Sequence, residues 1–137
     1  MDKKALIQAA LEAREHSYSP YSNYRVGAAL LTKEGRLYQG CNIENAGYSP
    51  TNCAERTAFF KAIYEGERSF EAIAVAGSPA GPCTSYAAPC GVCRQVMMEF
   101  CNPKEFRIII AKSVDEFVEY TLEELLPMGF GPESLEG

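Results

Sequence analysis

Residues 25–43 read Arg25-Val26-Gly27-Ala28-Ala29-Leu30-Leu31-Thr32-Lys33-Glu34-Gly35-Arg36-Leu37-Tyr38-Gln39-Gly40-Cys41-Asn42-Ile43. Arg25 to Lys33 is rich in Val, Ala and Leu and reads as a buried strand. Lys33-Glu34-Gly35-Arg36 is a turn, and Leu37 to Ile43 continues as a second strand, so the stretch is a hairpin. Before it, Asp2 to Ser17 reads as a helix with Leu6, Ala9, Ala10 and Ala13 on one face and Ile7 and Leu11 beside it. Tyr18-Ser19-Pro20-Tyr21-Ser22 breaks that helix. After the hairpin, Asn52 to Glu65 reads as a second helix with Ala58, Phe59, Ala62 and Ile63 as its core side. Glu71 to Ala76 is an apolar strand. Cys90 to Cys101 reads as a third helix with Val92, Val96, Met97 and Phe100 inward. Phe106 to Ala111 is another apolar strand and Phe117 to Tyr120 a short fifth one. Thr121-Leu122-Glu123-Glu124 has the form of a capping box opening a short helix.

The order is helix, hairpin, helix, strand, helix, strand, strand. Strands that alternate with helices imply crossover connections and parallel pairing. The expected fold is therefore α/β: three layers, α/β/α, around a single mixed five-stranded sheet. Ligands in such sheets sit beyond the C-terminal ends of strands, where helices begin. No linker, repeat or low-complexity segment divides the chain, and residues 1–137 are expected to form a single domain.

Composition narrows the function. Of 137 residues, 47% are hydrophobic and 23% charged, as in a soluble globular protein. Six cysteines stand against one histidine. With only His16 available, three-histidine zinc sites and two-histidine iron sites are excluded. His16 sits at the end of the first helix, where a positive or polar residue suits the helix dipole, and it reads as a structural or surface residue. The net charge is −5, and residues 113–137 carry seven acidic residues and no Lys or Arg. That balance argues against a nucleic-acid or anionic-membrane partner and for a small neutral ligand. The N-terminal residues lack a signal-peptide apolar region, and no apolar run approaches the ~20 residues of a membrane span. A cytoplasmic protein is expected, with its cysteines as thiols.

Two motifs carry the chemistry: Asn52-Cys53-Ala54-Glu55-Arg56 and Pro89-Cys90-Gly91-Val92-Cys93-Arg94. Both open expected helices. Cys90 and Cys93 share one face of a first turn. Cys53 sits in the first turn of another helix, so three thiolates can converge from two helix N-termini. Unpaired backbone N–H groups there favour anions and lower thiol pKa values. Three thiolates suit Zn2+, one ion per chain, with the fourth position open for water as in catalytic sites. Cys41 reads as a small buried hydrophobe, and Cys101 ends the third helix far from Cys90. Cys83 is the one cysteine that could close the site as a fourth ligand, which would make it a structural zinc module.

Glu55 follows Cys53 by two positions and can face the same pocket without being a ligand, the place for a proton shuttle. Asn52 and Glu55 also fit a helix capping box, a purely structural reading. Zinc with three thiolates has a formal charge of −1, which makes a poor Lewis acid. Arg56 and Arg94 follow the motifs in matching positions, and guanidinium-to-thiolate hydrogen bonds would restore acidity.

These residues resemble the cytidine deaminases, and specifically the small homotetrameric, zinc-dependent type of the cytidine/deoxycytidylate deaminase superfamily. A proline-led Cys-x-x-Cys and a glutamate that does not ligate zinc are the established pattern of zinc deaminases. The resemblance runs along nearly the whole chain, through Pro20-Tyr21-Ser22, Val26 to Leu31, Gly40 to Ala46, Cys53 to Ala58, Cys90 to Gln95 and Glu124 to Pro127. It implies hydrolytic deamination of cytidine and deoxycytidine to uridine and deoxyuridine, with release of ammonia, as in pyrimidine salvage. Cys53, Cys90 and Cys93 would bind zinc. Glu55 would carry a proton to N3 of the base and then to the leaving amine. Asn42 and Glu44 match positions that grip the ribose hydroxyls, and as residues two apart on a strand they share a face. Tyr24 matches the aromatic residue flanking the pyrimidine, and backbone groups of Ala54 and the Pro89-Cys90 turn would meet the base edge. Ala46, Tyr48 and Phe130 match positions that reach into a neighbouring subunit's site. For Phe130 a C-terminal hydrophobic anchor is the competing reading.

Three features depart from the family pattern. Position 24 is often Phe, and Tyr24 would place a hydroxyl near the base. Pro50-Thr51-Asn52 is an uncommon lead-in to the first motif. The loop at 80–88 is longer than usual and sits beside the zinc half-motif. A deaminase for a cytosine-nucleoside antibiotic such as blasticidin is the second enzyme reading, and Asn42-Ile43-Glu44-Asn45 favours ordinary cytidine.

Overall fold

The hairpin forms. β1 (Tyr24–Thr32) pairs antiparallel with β2 (Leu37–Cys41), with Leu31 opposite Leu37 and Gly27 opposite Cys41. Gly35, at φ 91°, closes the turn and donates its N–H to the Thr32 carbonyl. β2 stops at Cys41, two residues short of the expected end, because the Asn42 side chain takes over a ladder bond. Its Oδ1 accepts the Val26 N–H at 3.0 Å, the place a backbone carbonyl would hold. Asn42 and Glu44 therefore follow the strand; Ile43 between them keeps only isolated bridges to Tyr18 and Asn52.

The computed structural model describes residues 1–135; Glu136 and Gly137, part of the expected single domain, lie outside the described residues. Around the hairpin stand α1 (Lys3–Arg14), α2 (Ala54–Tyr64), β3 (Phe70–Pro79), α3 (Gly91–Phe100), β4 (Arg107–Ser113), β5 (Glu116–Thr121), the short α4 (Leu122–Leu125) and a terminal 3-10 turn (Pro132–Leu135). The five-stranded sheet runs β2-β1-β3-β4-β5. Only β3 and β4 pair in parallel. The parallel pairing expected of strands separated by a helix holds for β3 and β4, and the sheet is mixed as expected. α2 carries the chain past β1, so β3 lands antiparallel on the other edge of β1. β5 returns from β4 through a tight turn and is antiparallel as well.

Strand alternation sorts the core into two halves. On one face Leu30, Ile73, Val75, Ile108 and Ile110 pack with Ala58, Phe59 and Ala62 of α2, Met97 of α3 and Leu122 of α4. On the other, Ala29, Ala72, Ala74, Ala76, Ile109 and Ala111 pack under Leu6, Ile7, Ala9 and Ala10 of α1. This is the three-layer α/β/α arrangement. The alanine-lined face and two glycines let helices sit directly on the sheet backbone. A Cβ on Gly27 would lie 2.1 Å from the Ala10 carbonyl oxygen, and one on Gly40 2.5 Å from that of Ala54.

Val92 differs from expectation: it is 58% exposed. The inward face of α3 is set by Cys93 and Met97, one turn apart, and Val92 lies about a hundred degrees away from Cys93 around the helix. The capping box at Thr121 and Glu124 is formed in both directions.

Candidate active site

Cys53 and Cys90 are the N-cap residues of α2 and α3, and neither thiol caps its own helix. The capping reading of Asn52 and Glu55 fails for the same reason. Asn52 instead bonds Thr57 through its side chain at 3.1 Å, and Glu55 is buried. Freed from capping, the sulfurs converge. Cys53 and Cys90 are 3.8 Å apart, Cys90 and Cys93 3.6 Å, and all three lie within 4.8 Å of one another. Tetrahedral zinc with bonds of ~2.3 Å spaces its sulfurs about 3.8 Å apart, so the trio fits zinc in both donor chemistry and spacing. Among the described residues no other group of His, Cys, Asp or Glu side chains converges in this way.

All six cysteines are free thiols. Cys83 does not close the site. Its thiol donates to the carbonyls of Gly77, Ser85 and Ala111 at 3.6–3.8 Å and packs against the α1 side of the sheet. The closed four-thiolate module is thereby overturned. Cys41 is partly buried, its thiol on the His16 carbonyl at 3.3 Å, and Cys101 packs against the main core. His16 itself is exposed in the turn after α1.

The two arginines separate. Arg56 donates to the Cys53 sulfur at 3.3 Å. Arg94 reaches no sulfur: its Nε donates to the Pro89 carbonyl at 2.7 Å and its Nη1 to that of Leu125 at 2.6 Å. It ties the turn leading into Cys90 to the end of α4. The neighbouring Cys93 thiol, helped by the Arg56 guanidinium, draws the Cys53 thiol below its ordinary value, while the adjacent Cys53 sulfur and burial push Cys93 up.

Glu55 is 4% exposed, and burial pushes its carboxyl up to about 7. It lines a cavity of about 410 Å³ together with Tyr24, Val26, Asn42, Cys53, Ala54 and Cys90. Asn42 is 9% exposed, and its amide donates one N–H to the Tyr24 carbonyl at 2.8 Å. Glu44 accepts the backbone N–H groups of Tyr21 and Ser22 at 3.0 and 3.1 Å and the Ser22 hydroxyl. The Ser22 hydroxyl above all holds its carboxyl below the usual range. Tyr24 lines the cavity, and its hydroxyl has a partner in the protein. The Gly77 carbonyl takes it at 3.3 Å. Ala46, Tyr48 and Phe130 are all exposed, Tyr48 by 73% and Phe130 by 57%, so Phe130 is no buried anchor in this chain.

Sequence reasoning missed several wall residues of the same cavity: Val26, Thr51 and the loop residues Tyr86, Ala87 and Ala88. For the three loop residues the one signal was the length of loop 80–88. A larger cavity of about 670 Å³ lies between the end of α3 and the C-terminal segment. It holds none of the three sulfurs.

Two helix N-termini aimed at one cavity, with three sulfurs at zinc spacing and a buried carboxyl beside them, define a zinc hydrolase built on an α/β/α sheet. The family model described as "Cytidine and deoxycytidylate deaminase zinc-binding region" matches residues 1–109, and the chain belongs to that family. It is 50% identical to the cytidine deaminase of Sporosarcina psychrophila over 98% of this chain and 96% of the relative. To that of Halalkalibacterium halodurans it is 48% identical over 98% of each. The crystal structure of cytidine deaminase from Burkholderia pseudomallei superposes with a TM-score of 0.82 at 48% identity, covering 92% of this chain and 97% of that one.

Proposed function

We propose that this chain is a cytidine deaminase: it hydrolyses cytidine and deoxycytidine to uridine and deoxyuridine and releases ammonia. The observation that carries the reading is the sulfur trio, all within 4.8 Å of one another, with the buried Glu55 lining the same cavity. Cys53, Cys90 and Cys93 hold zinc. When bound, zinc supplies the Lewis acidity that makes a water nucleophilic near neutral pH.

The chain's own residues do the rest. Glu55, near 7 and shielded from solvent, accepts the proton of the attacking water and hands it to N3 of the base. It then delivers the water's second proton to the amine, which leaves C4 as ammonia. Tyr24 and Val26 line the cavity, where they flank the pyrimidine. The N–H of Ala54, in the first turn of α2, has no partner within the helix and meets the base edge. The second N–H of the Asn42 amide and the remaining lone pair of Glu44 Oε2 grip the ribose hydroxyls. Arg56 withdraws charge from Cys53, and Arg94 steadies the turn that presents Cys90.

We further propose that the 137 residues form one domain and that the working molecule is a homotetramer in the cytoplasm, with Ala46, Tyr48 and Phe130 completing neighbouring sites. The exposed rings of Tyr48 and Phe130 support the assembly, and the acidic charge of the chain supports a partner other than nucleic acid. No described helix is long and apolar enough to cross a membrane. A mass of four chains by light scattering is expected; a monomer at micromolar concentration overturns the assembly.

The test of function is Glu55→Gln. It is expected to keep about one zinc per chain while cytidine turnover falls by about 10²–10⁴-fold. Turnover at the wild-type rate, or loss of the metal, overturns the role of Glu55. A wild-type chain that releases no ammonia from cytidine overturns the function itself.

A further inference from the structure

Loop 80–88 is fastened to the sheet at several points. The Gly77 carbonyl, near the end of β3, accepts the hydroxyls of Tyr24 and Ser85, each at 3.3 Å, and the Cys83 thiol at 3.6 Å. The Ser78 hydroxyl donates to the Pro82 carbonyl at 3.3 Å. The guanidinium of Arg14, 4% exposed, reaches from α1 to the Ser78 hydroxyl at 2.7 Å and the Pro79 carbonyl at 2.6 Å. Beyond these ties stands Tyr86. The ring is 42% exposed, and the Lys112 ammonium lies 4.5 Å from its centroid, a cation–π contact that favours this placement. Tyr86, Ala87 and Ala88 form a wall of the cavity that also contains Cys53, Glu55 and Cys90.

We propose that Tyr86 determines specificity: from the cavity wall, with Lys112 against its ring, it limits the size of the pyrimidine that can react. The inference rests on the deaminase reading above. The sugar end of the cavity is marked by Asn42. The wall at 86–88 runs directly into Pro89 and Cys90, so it stands beside the reacting carbon, C4, rather than beside the ribose. Of the two ring atoms next to C4, N3 receives the proton from Glu55. The other, C5, is the neighbour that can carry a substituent, and that substituent meets the wall. The Tyr24 and Ser85 hydroxyls fix the base of the loop, so the wall is formed before substrate enters. Apolar pockets discriminate one extra group of methyl size by about 10–200-fold, which is the range available to a ring in this position.

The experiment compares kcat/KM for 5-iodocytidine and cytidine. In Tyr86→Ala the ratio of the two is expected to rise at least ~10-fold over the wild type. Tyr86→Phe, which keeps the ring, is expected to hold the wild-type ratio. Lys112→Met, which releases the ring, is expected to raise it by less than Tyr86→Ala does. An unchanged ratio in Tyr86→Ala, on a wild type that deaminates cytidine, overturns the proposal and leaves the function standing. A wild type inactive on cytidine overturns both. Should the alanine variant fail to fold, Tyr86→Leu removes the ring with the same two outcomes.

Discussion

Arg56 and Arg94 occupy matching places after their motifs, yet only Arg56 touches a sulfur. The difference is one of helix environment. Arg56 lies on α2 one turn after Cys53, so its side chain folds back over its own N-cap. Arg94 faces the C-terminal end of α4, whose carbonyls lack intrahelical donors and draw the guanidinium away. Groups that bond to a metal ligand typically change metal affinity by 10–100-fold when removed. Arg56→Gln is therefore expected to weaken zinc by about that factor in chelator competition while leaving the far-ultraviolet circular dichroism spectrum unchanged. Unchanged zinc affinity would show that the bond at 3.3 Å does no electrostatic work.

At the scale of elements, the site depends on how closely α2 approaches the sheet. Gly40 in β2 lies under the first turns of α2, where an added Cβ would come within 2.5 Å of the Ala54 carbonyl and 2.6 Å of the Ala58 nitrogen. Both contacts are backbone, so neither can swing aside. Gly40→Ala is expected to cost about 1–3 kcal/mol in urea unfolding, as overpacked cores do. It is also expected to lower zinc content, because the helix it displaces carries Cys53 and Glu55. A variant with wild-type stability and full zinc would mean that α2 is not seated by this contact. α1 is seated on Gly27 in the same way, on the face away from the cavity.

At the scale of the molecule, one charged cluster joins the hairpin to the segment after α2. Glu67 is 6% exposed, bonded by Arg36 Nη2 at 2.9 Å, by Arg36 Nε and by the Tyr38 hydroxyl at 2.7 Å. Arg36 first, and Tyr38 second, hold its carboxyl down to about 2. A carboxyl lowered in the folded state stabilises the fold above its unfolded value of about 4.3. That contribution is lost as pH falls from there through 2. The melting temperature of the wild type is expected to exceed that of Glu67→Gln at pH 7, with the gap closing as pH drops from about 4.5 towards 2. A gap that stays constant across that range would remove Glu67 from the acid response.

Much of this molecule could be read along the chain. Apolar periodicity and turn residues located the hairpin, the helices and the strands to within a few residues, since those signals are local. The two cysteine motifs and Glu55 could be read for the same reason: each lies within one helical turn, where spacing fixes direction. Other features were settled only by long-range packing. Pairing direction at β3 depended on α2 passing over β1. Val92 faced outward because Cys93 and Met97 claimed the core side of α3. Arg94 was diverted by a helix end 31 residues away in sequence. The wall at Tyr86 arose because Gly77, Tyr24 and Lys112, from three different strands, hold one loop. The sequence alone determined which chemistry the chain carries, because metal ligation and proton transfer reside in residue types at short spacing. The tertiary structure decided which of those residues meet and what shape of cavity they share, because only packing between distant segments sets their distances.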